Sequence, residues 1–207
     1  ITSGGTFSLL GGSFTNSMAD TMTVANFILS NGTFLAPSGI MTITGNFTIN
    51  GTGDFLHNDG KVIFSGTDKT FTSATPIYFN NFEMNAVTYL RVESGTTLVV
   101  NGDLTLTKGA LLGNLNNGTI NAKGDISVAS AFGGGYSSGF TCNLLIDGLG
   151  EQNIAIAAGA KMPKTTLNNP LATLSLSGLG TVTWNDATAA ISLQAGTVDL
   201  NGGNATF

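Results

Sequence analysis

Apolar and polar residues alternate along most of this chain in short runs, and the runs return at a nearly fixed interval. Leu104-Thr105-Leu106-Thr107 is typical, with leucine on one face of a strand and threonine on the other. Threonine is β-branched and polar, so it suits a strand face that meets water. Between the runs stand Gly, Asn and Asp, which accept the backbone angles of a sharp turn. No stretch keeps a helical apolar period over two turns. Even the Ala-rich piece Ile154 to Ala160 sets Ile154 and Ile156 at strand spacing. The pattern predicts short strands and turns alone.

From residue 75 to residue 174 the interval is 22. With Thr75, Thr97, Thr119 and Thr141 set one above another, a turn ladder of Asn81, Asp103, Asp125, Asp147 and Asn169 appears. Beside it run Phe82, Leu104 and Ile126, then Met84, Leu106 and Val128, which predict a core stack. A further apolar column reads Leu90 and Val92, Leu111 and Leu112, Phe132, Ile154 and Ile156, Leu174 and Leu176. Asn26, Asn46 and Gly66 are 20 apart, so the early turns are shorter. Gly66 to Asn81 is only 15, which predicts a shortened turn or a slip of register. A period near twenty with this punctuation is the mark of a stacked solenoid. The expected fold is all-β, a single right-handed parallel β-helix (β-solenoid) over residues 1–207. It would have about ten rungs of roughly 18–22 residues, in three short parallel sheets around a narrow apolar core.

Composition adds a surface to this picture. The chain is 42% hydrophobic, enough to fill a continuous core, but only 9% charged, against about 25% in an average soluble protein. Its outer faces are therefore solvated by hydroxyls and amides rather than by ions. A net charge of −5 with seven Lys plus Arg leaves no basic stripe for phosphates, which excludes nucleic acid as a partner. No apolar run reaches the ~18 residues of a membrane span. Cys142 is the sole cysteine, so no internal disulfide forms. It falls in the column of Leu98 and Ile120 and reads as a small buried apolar side chain. Neither end shows the polar cap a solenoid needs. The expectation is a segment of a longer protein, flanked by further solenoid repeats or by copies stacked end to end.

Candidate chemistry is sparse. Carboxylates on adjacent rungs of the ladder would stand ~5 Å apart, a spacing that suits a glycosidase pair or calcium. Asn81 and Asn169 in the same column favour turn chemistry, because Asn and Asp both hydrogen-bond local backbone. Asp103, Asp125 and Asp147 are thus calcium candidates, and no other cofactor is implied. His57 lies among Asp54, Asp59, Lys61, Asp68 and Lys69, but His57-Asn58-Asp59-Gly60 reads as a plain turn. Five Thr-x-Thr pairs, beginning at Thr21, Thr42, Thr70, Thr105 and Thr181, start at irregular offsets and do not form one ice-binding column. Trp184 and Tyr136 are the candidate contacts for a surface glycan, with Tyr78 and Tyr89 behind them. Trp184 alternates with Val182 and suits the core equally well. The Gly-rich stretch 133–139 reads as a wide loop, since neither a helix nor a Lys-Ser/Thr pair follows as a phosphate loop requires. The sequons at Asn31, Asn46, Asn50, Asn117 and Asn204 arise readily in a chain so rich in Asn and Thr.

Residues 45–85 carry a resemblance. Asn46-Phe47-Thr48, His57-Asn58-Asp59-Gly60, Val62-Ile63-Phe64-Ser65-Gly66 and Phe79-Asn80-Asn81-Phe82 resemble the repeats of bacterial cell-surface β-strand-repeat proteins, adhesin-like β-solenoids. The match covers about forty residues, and the rest shares only the Gly/Asn/Thr style. The resemblance implies an exported, extracellular, structural or adhesive segment and carries no catalytic residues. An enzyme is not expected. The alternative is a carbohydrate-active β-helix, a polysaccharide lyase or hydrolase, or a glycan-binding module. The enzymatic version needs Arg91, Lys123, Asp103 and Asp125 in one groove.

Overall fold

The computed structural model describes residues 4–15, 20–113, 118–133, 142–177, 180–184 and 191–206. Its described residues form 23 strands and no helix, and every strand pairing is parallel. The chain winds into a β-solenoid of about eight turns. Dividing the length by the repeat predicts about ten; on the first face two turns exceed the 22-residue ruler, Ile126 to Ile154 at 28 residues and Leu174 to Val198 at 24.

Three faces make each turn. The first stacks Met22–Val24, Ile40–Ile43 and Lys61–Phe64, then the opening halves of Asn81–Val92 and Leu104–Gly113. It continues through Ile126–Val128, Gln152–Ala157 and the closing half of Lys164–Ser177. The second stacks Thr6–Leu9, Asn26–Leu29, Phe47–Ile49, Lys69–Ser73 and the closing halves of Asn81–Val92 and Leu104–Gly113. Phe132 bridges from Gly109 to Lys161–Met162, beyond which come Thr181–Trp184 and Asn204–Thr206. The third begins with Ser13–Thr15, Thr33–Leu35 and Asp54–Leu56. Ile77–Phe79, Thr97–Val100, Thr119–Ala122, Asn143–Ile146 and the opening of Lys164–Ser177 complete it. In such a ladder each rung's backbone groups pair with the rungs above and below, so the hydrogen bonds run along the axis.

The predicted core stack stands in register. Phe82, Leu104 and Ile126 lie one over the next, as do Met84, Leu106 and Val128, and all six are buried. The outward partners Glu83, Thr105 and Ser127 share the same strands. Alternation here is a direct consequence of the strand's period of two.

A second feature was not read from the sequence. In the first half of the molecule the core is built of phenylalanine rings. Phe7, Phe27 and Phe47 stack face to face at 5.5 and 4.8 Å, and Phe71 tilts on at 4.8 Å. Phe14, Phe34 and Phe55 form a parallel stack at 5.1 and 5.6 Å. Phe27 and Phe34 meet edge to face at 4.7 Å, so the two columns lock across the lumen. Ring separations of this order are what rungs ~4.8 Å apart impose on in-register aromatics. The signal was present as 20-residue steps from Phe7 to Phe27 to Phe47.

Two register expectations are corrected. The short step from Gly66 to Asn81 is a change of corner, not a short turn. Asn46 precedes the second-face strand Phe47–Ile49, whereas Asn81 opens the first-face half of Asn81–Val92 and pairs with Lys61. The 22-residue ruler also fails beyond Phe132. Ile126 pairs with Ile154, a turn of 28 residues. Ile154 and Ile156 therefore continue the column of Ile126 and Val128 on the first face, with Leu174 and Leu176 next. They do not continue the column of Leu90 and Phe132.

Candidate functional site

The feature most like a site is a shallow trough of about 260 Å³ on the first face, where three consecutive rungs meet their entry corner. Asp103, Asp125 and Asn153 form one wall, and Thr105, Ser127 and Ala155 form the floor. The floor is low because the outward column loses bulk from Thr105 to Ser127 to Ala155, which are register partners. Gly102 and Gly124 precede the two aspartates for a steric reason. A Cβ on Gly102 would collide with the Asn81 side chain, and one on Gly124 with the Gly102 carbonyl.

The wall residues are first of all corner residues. The Asp103 N–H donates to Asn81 Oδ1 at 2.7 Å, and the Asn153 N–H donates to Asp125 Oδ1 at 2.9 Å. The same device serves the entry to the second face, where the Asn46 N–H donates to Asn26 Oδ1 at 2.9 Å and the Thr70 N–H to Asn46 Oδ1 at 3.1 Å. At these four corners a side-chain amide or carboxylate oxygen replaces a main-chain acceptor, which keeps the corner N–H satisfied. Both Asn and Asp supply that oxygen, and this explains why they alternate in the column. Repulsion between exposed carboxylates ~5 Å apart is below about 1 kcal/mol in water, so no counter-ion is required.

The predicted ladder is shorter than its five members. Asn81, Asp103 and Asp125 are consecutive, but the next place belongs to Asn153. Asp147 follows the third-face strand Asn143–Ile146 and accepts a 2.7 Å ion pair from Lys123. The cause is the long turn: Ala122 returns at Ile146 after 24 residues rather than 22, which sets Asp147 beside Lys123. Ile146 and Ile154 are then eight apart where Ala122 and Ile126 are four. The extra residues form a bulge whose tip, Leu149, is 97% exposed. Asn169 is buried and belongs to that bulge's support. Its Nδ2 donates to Gly150 O and to Gln152 Oε1, both at 2.9 Å. Gln152, buried too, donates to Ala122 O at 3.0 Å and Gly124 O at 2.6 Å, and accepts from the Gly148 N–H. This polar pin closes the enlarged corner and had no signal in the alternation, where a lone Gln reads as solvent-facing.

The trio Asp103, Asp125 and Asp147 is therefore not assembled as a calcium site. Among the described residues no group of three or more His, Cys, Asp or Glu side chains stands close enough to hold a metal ion. Trp184 is also moved from surface to core: it is 2% exposed, and its indole N–H donates to Thr165 Oγ1 at 3.2 Å. It faces inward for the reason Val182 does, two residues earlier on the same strand. Tyr136 lies outside the described residues. Tyr78 is half exposed on the third face, away from the trough.

Arg91 and the Asp103/Asp125 pair, expected in one groove on the enzymatic reading, stand on different faces. Arg91 sits on the second face, with its guanidinium 5.6 Å from the Tyr89 ring, while Asp103 and Asp125 edge the first. Lys123 is engaged with Asp147. His57 occupies the turn predicted for it, accepting the Asp59 N–H at Nδ1 at 3.0 Å, and Asn58 and Asp59 have φ of 48° and 55°. Lys61 pairs with Glu83 on the next rung at 2.6 Å, and Glu83 also accepts from Thr107 at 3.0 Å. Cys142 is fully buried, and desolvation pushes its thiol up to about 12 despite a hydrogen bond from the Ile120 backbone. Leu144, not Cys142, takes the place above Ile120.

No helix of the described residues is long and apolar enough to cross a membrane. Comparison with protein families, curated proteins and solved structures finds no match to this chain. What the geometry defines is a β-solenoid repeat protein.

Proposed function

We propose that this chain is a stiff structural segment of an extracellular surface or filament protein, presenting hydroxyl- and amide-rich faces to its surroundings. The single observation that carries the reading is the axial ladder. Parallel pairing runs rung to rung on three faces around an apolar core, which in the first half of the molecule is two interlocked columns of phenylalanine. Stretching such a rod along its axis loads many main-chain hydrogen bonds and stacked rings at once. Few ions and abundant Thr, Ser and Asn favour a surface that tolerates changing ionic strength. About eight turns at ~4.8 Å give a rod of about 40 Å, and flanking solenoid repeats or further copies would extend it. The bacterial cell surface is the setting that the resemblance of residues 45–85 supports.

Protease shaving of intact source cells tests the setting. Release of peptides from this chain supports surface display, and their appearance only after lysis refutes it. A second reading rests on the trough beside Asp103 and Asp125, which would contact a neutral glycan through carboxylate, amide and hydroxyl groups. Glycan-array binding lost in Asp125→Ala would favour it, and binding unchanged by that substitution would place any glycan elsewhere.

A further inference from the structure

Four Asn-Gly pairs lie wholly within the described residues, at Asn31, Asn50, Asn101 and Asn201. Such a pair has an intrinsic chemistry. The glycine amide nitrogen can attack the asparagine Cγ, losing its proton to solvent as ammonia leaves, to give a five-membered imide. Water then opens the ring at either carbonyl, to aspartate or to isoaspartate. Reaction requires the side-chain amide to swing free and the glycine N–H to be unengaged, and the fold treats the four pairs differently.

At Asn31 both ends of the amide are held: Nδ2 donates to Leu10 O at 3.4 Å, and Oδ1 accepts from Thr52 Oγ1 at 3.1 Å. At Asn101 the attacking group is held, because the Gly102 N–H donates to Asn80 O on the rung above at 2.8 Å. Asn201 is tied through its own N–H to Asp199 Oδ1 at 2.9 Å and through Nδ2 to Leu176 O at 3.5 Å. Asn50 is otherwise. Its backbone is fixed, with its N–H on Leu29 O at 2.8 Å. Its side chain is exposed, however, and neither that amide nor the Gly51 N–H has a hydrogen-bond partner among the described residues. Gly51, at φ 62°, must be glycine, since a Cβ there would lie 2.7 Å from Ser30 O.

We propose that Asn50-Gly51 is a site of spontaneous modification, where Asn50 passes through the imide to aspartate and isoaspartate while the other three pairs are protected by the fold. The product adds one negative charge to the outer corner between Phe47–Ile49 and Asp54–Leu56. In its isoaspartate form it also routes the main chain through the side-chain carbon.

The test is to hold the purified chain at mildly alkaline pH and physiological temperature, digest samples over time, and quantify amide-to-acid conversion at each asparagine by mass spectrometry. Isoaspartate is scored by methyltransferase labelling. Conversion at Asn50 is expected to be at least about fivefold faster than at Asn101, the factor that one retained rung-to-rung hydrogen bond imposes. Both acid products should appear, and Asn50→Gln should remove the signal. In concentrated urea the difference between sites should vanish. Equal or faster conversion at Asn31 or Asn101 in the folded chain would overturn the proposal, as would a ranking that survives in urea.

Discussion

Phe47 offers the sharpest test of what holds the winding together. Its ring is fully buried, stacked on Phe27 and tilted against Phe71 at 4.8 Å each, with Phe55 edge-on at 5.5 Å. Phe47→Ala removes the whole ring and leaves a cavity, a change that costs about 3–5 kcal/mol. Phe47→Leu keeps most of the buried area and forfeits the ring pairing. With one stacked and one tilted ring contact at about 0.5–1.5 kcal/mol each, that costs about 1–3 kcal/mol. Against a total stability of about 5–15 kcal/mol the alanine variant is severely weakened. Urea denaturation gives both values. Amide exchange then locates them, because in a one-dimensional stack the loss spreads to neighbouring rungs and fades beyond. Protection should fall in Asn26–Leu29 and Lys69–Ser73 but persist in Gln152–Ala157. A leucine variant indistinguishable from the parent, or a loss of protection spread evenly along the chain, would refute the reasoning.

Further outcomes follow from other contacts. Asp125→Asn should leave stability within about 0.5 kcal/mol because it keeps the acceptor for the Asn153 N–H, whereas Asp125→Ala should lose about 1 kcal/mol, with added calcium raising the melting temperature of neither. Gln152→Leu leaves the Ala122 and Gly124 carbonyls and the Gly148 N–H without their partner, and should cost about 2–4 kcal/mol by thermal or urea unfolding. Leu104→Asp puts an unpaired charge between Phe82 and Ile126 and should abolish cooperative unfolding, read by circular dichroism. Cys142 stays protonated in the folded chain while the unfolded thiol ionises from 9.0 upward, so stability should fall as pH rises from about 9 toward about 12. In Cys142→Ala that slope should be reduced, and alkylation of the native thiol at neutral pH should wait on unfolding.

Much of the architecture was legible because a solenoid repeats its instructions. Alternation in Leu104-Thr105-Leu106-Thr107 and the 22-residue return to Ile126 define face and register together, and both appear in the structure. The reading failed where the period changed. A fixed ruler carried Asp147 into the column of Asp125, although a 24-residue return from Ala122 to Ile146 had already set it beside Lys123. Four more residues at the next corner left the place after Asp125 to Asn153. The bulge is stabilised by Gln152 and Asn169, whose partners are main-chain groups on other rungs that no local pattern reveals. Trp184 was open to two readings because period-two alternation fixes that it shares a side with Val182 without saying which side is inward. The aromatic columns were overlooked for a different reason. Each Phe sits singly in its strand, and only the distances between Phe7, Phe27 and Phe47 show that the rings meet.

The winding is tested most directly by the pattern of through-space proton contacts in solution. Nuclear Overhauser effects are predicted to link Leu104 with Ile126 and Ile126 with Ile154, residues 22 and 28 apart and parallel in direction. Cross-peaks joining strands adjacent in sequence in antiparallel order, with none between these partners, would contradict it.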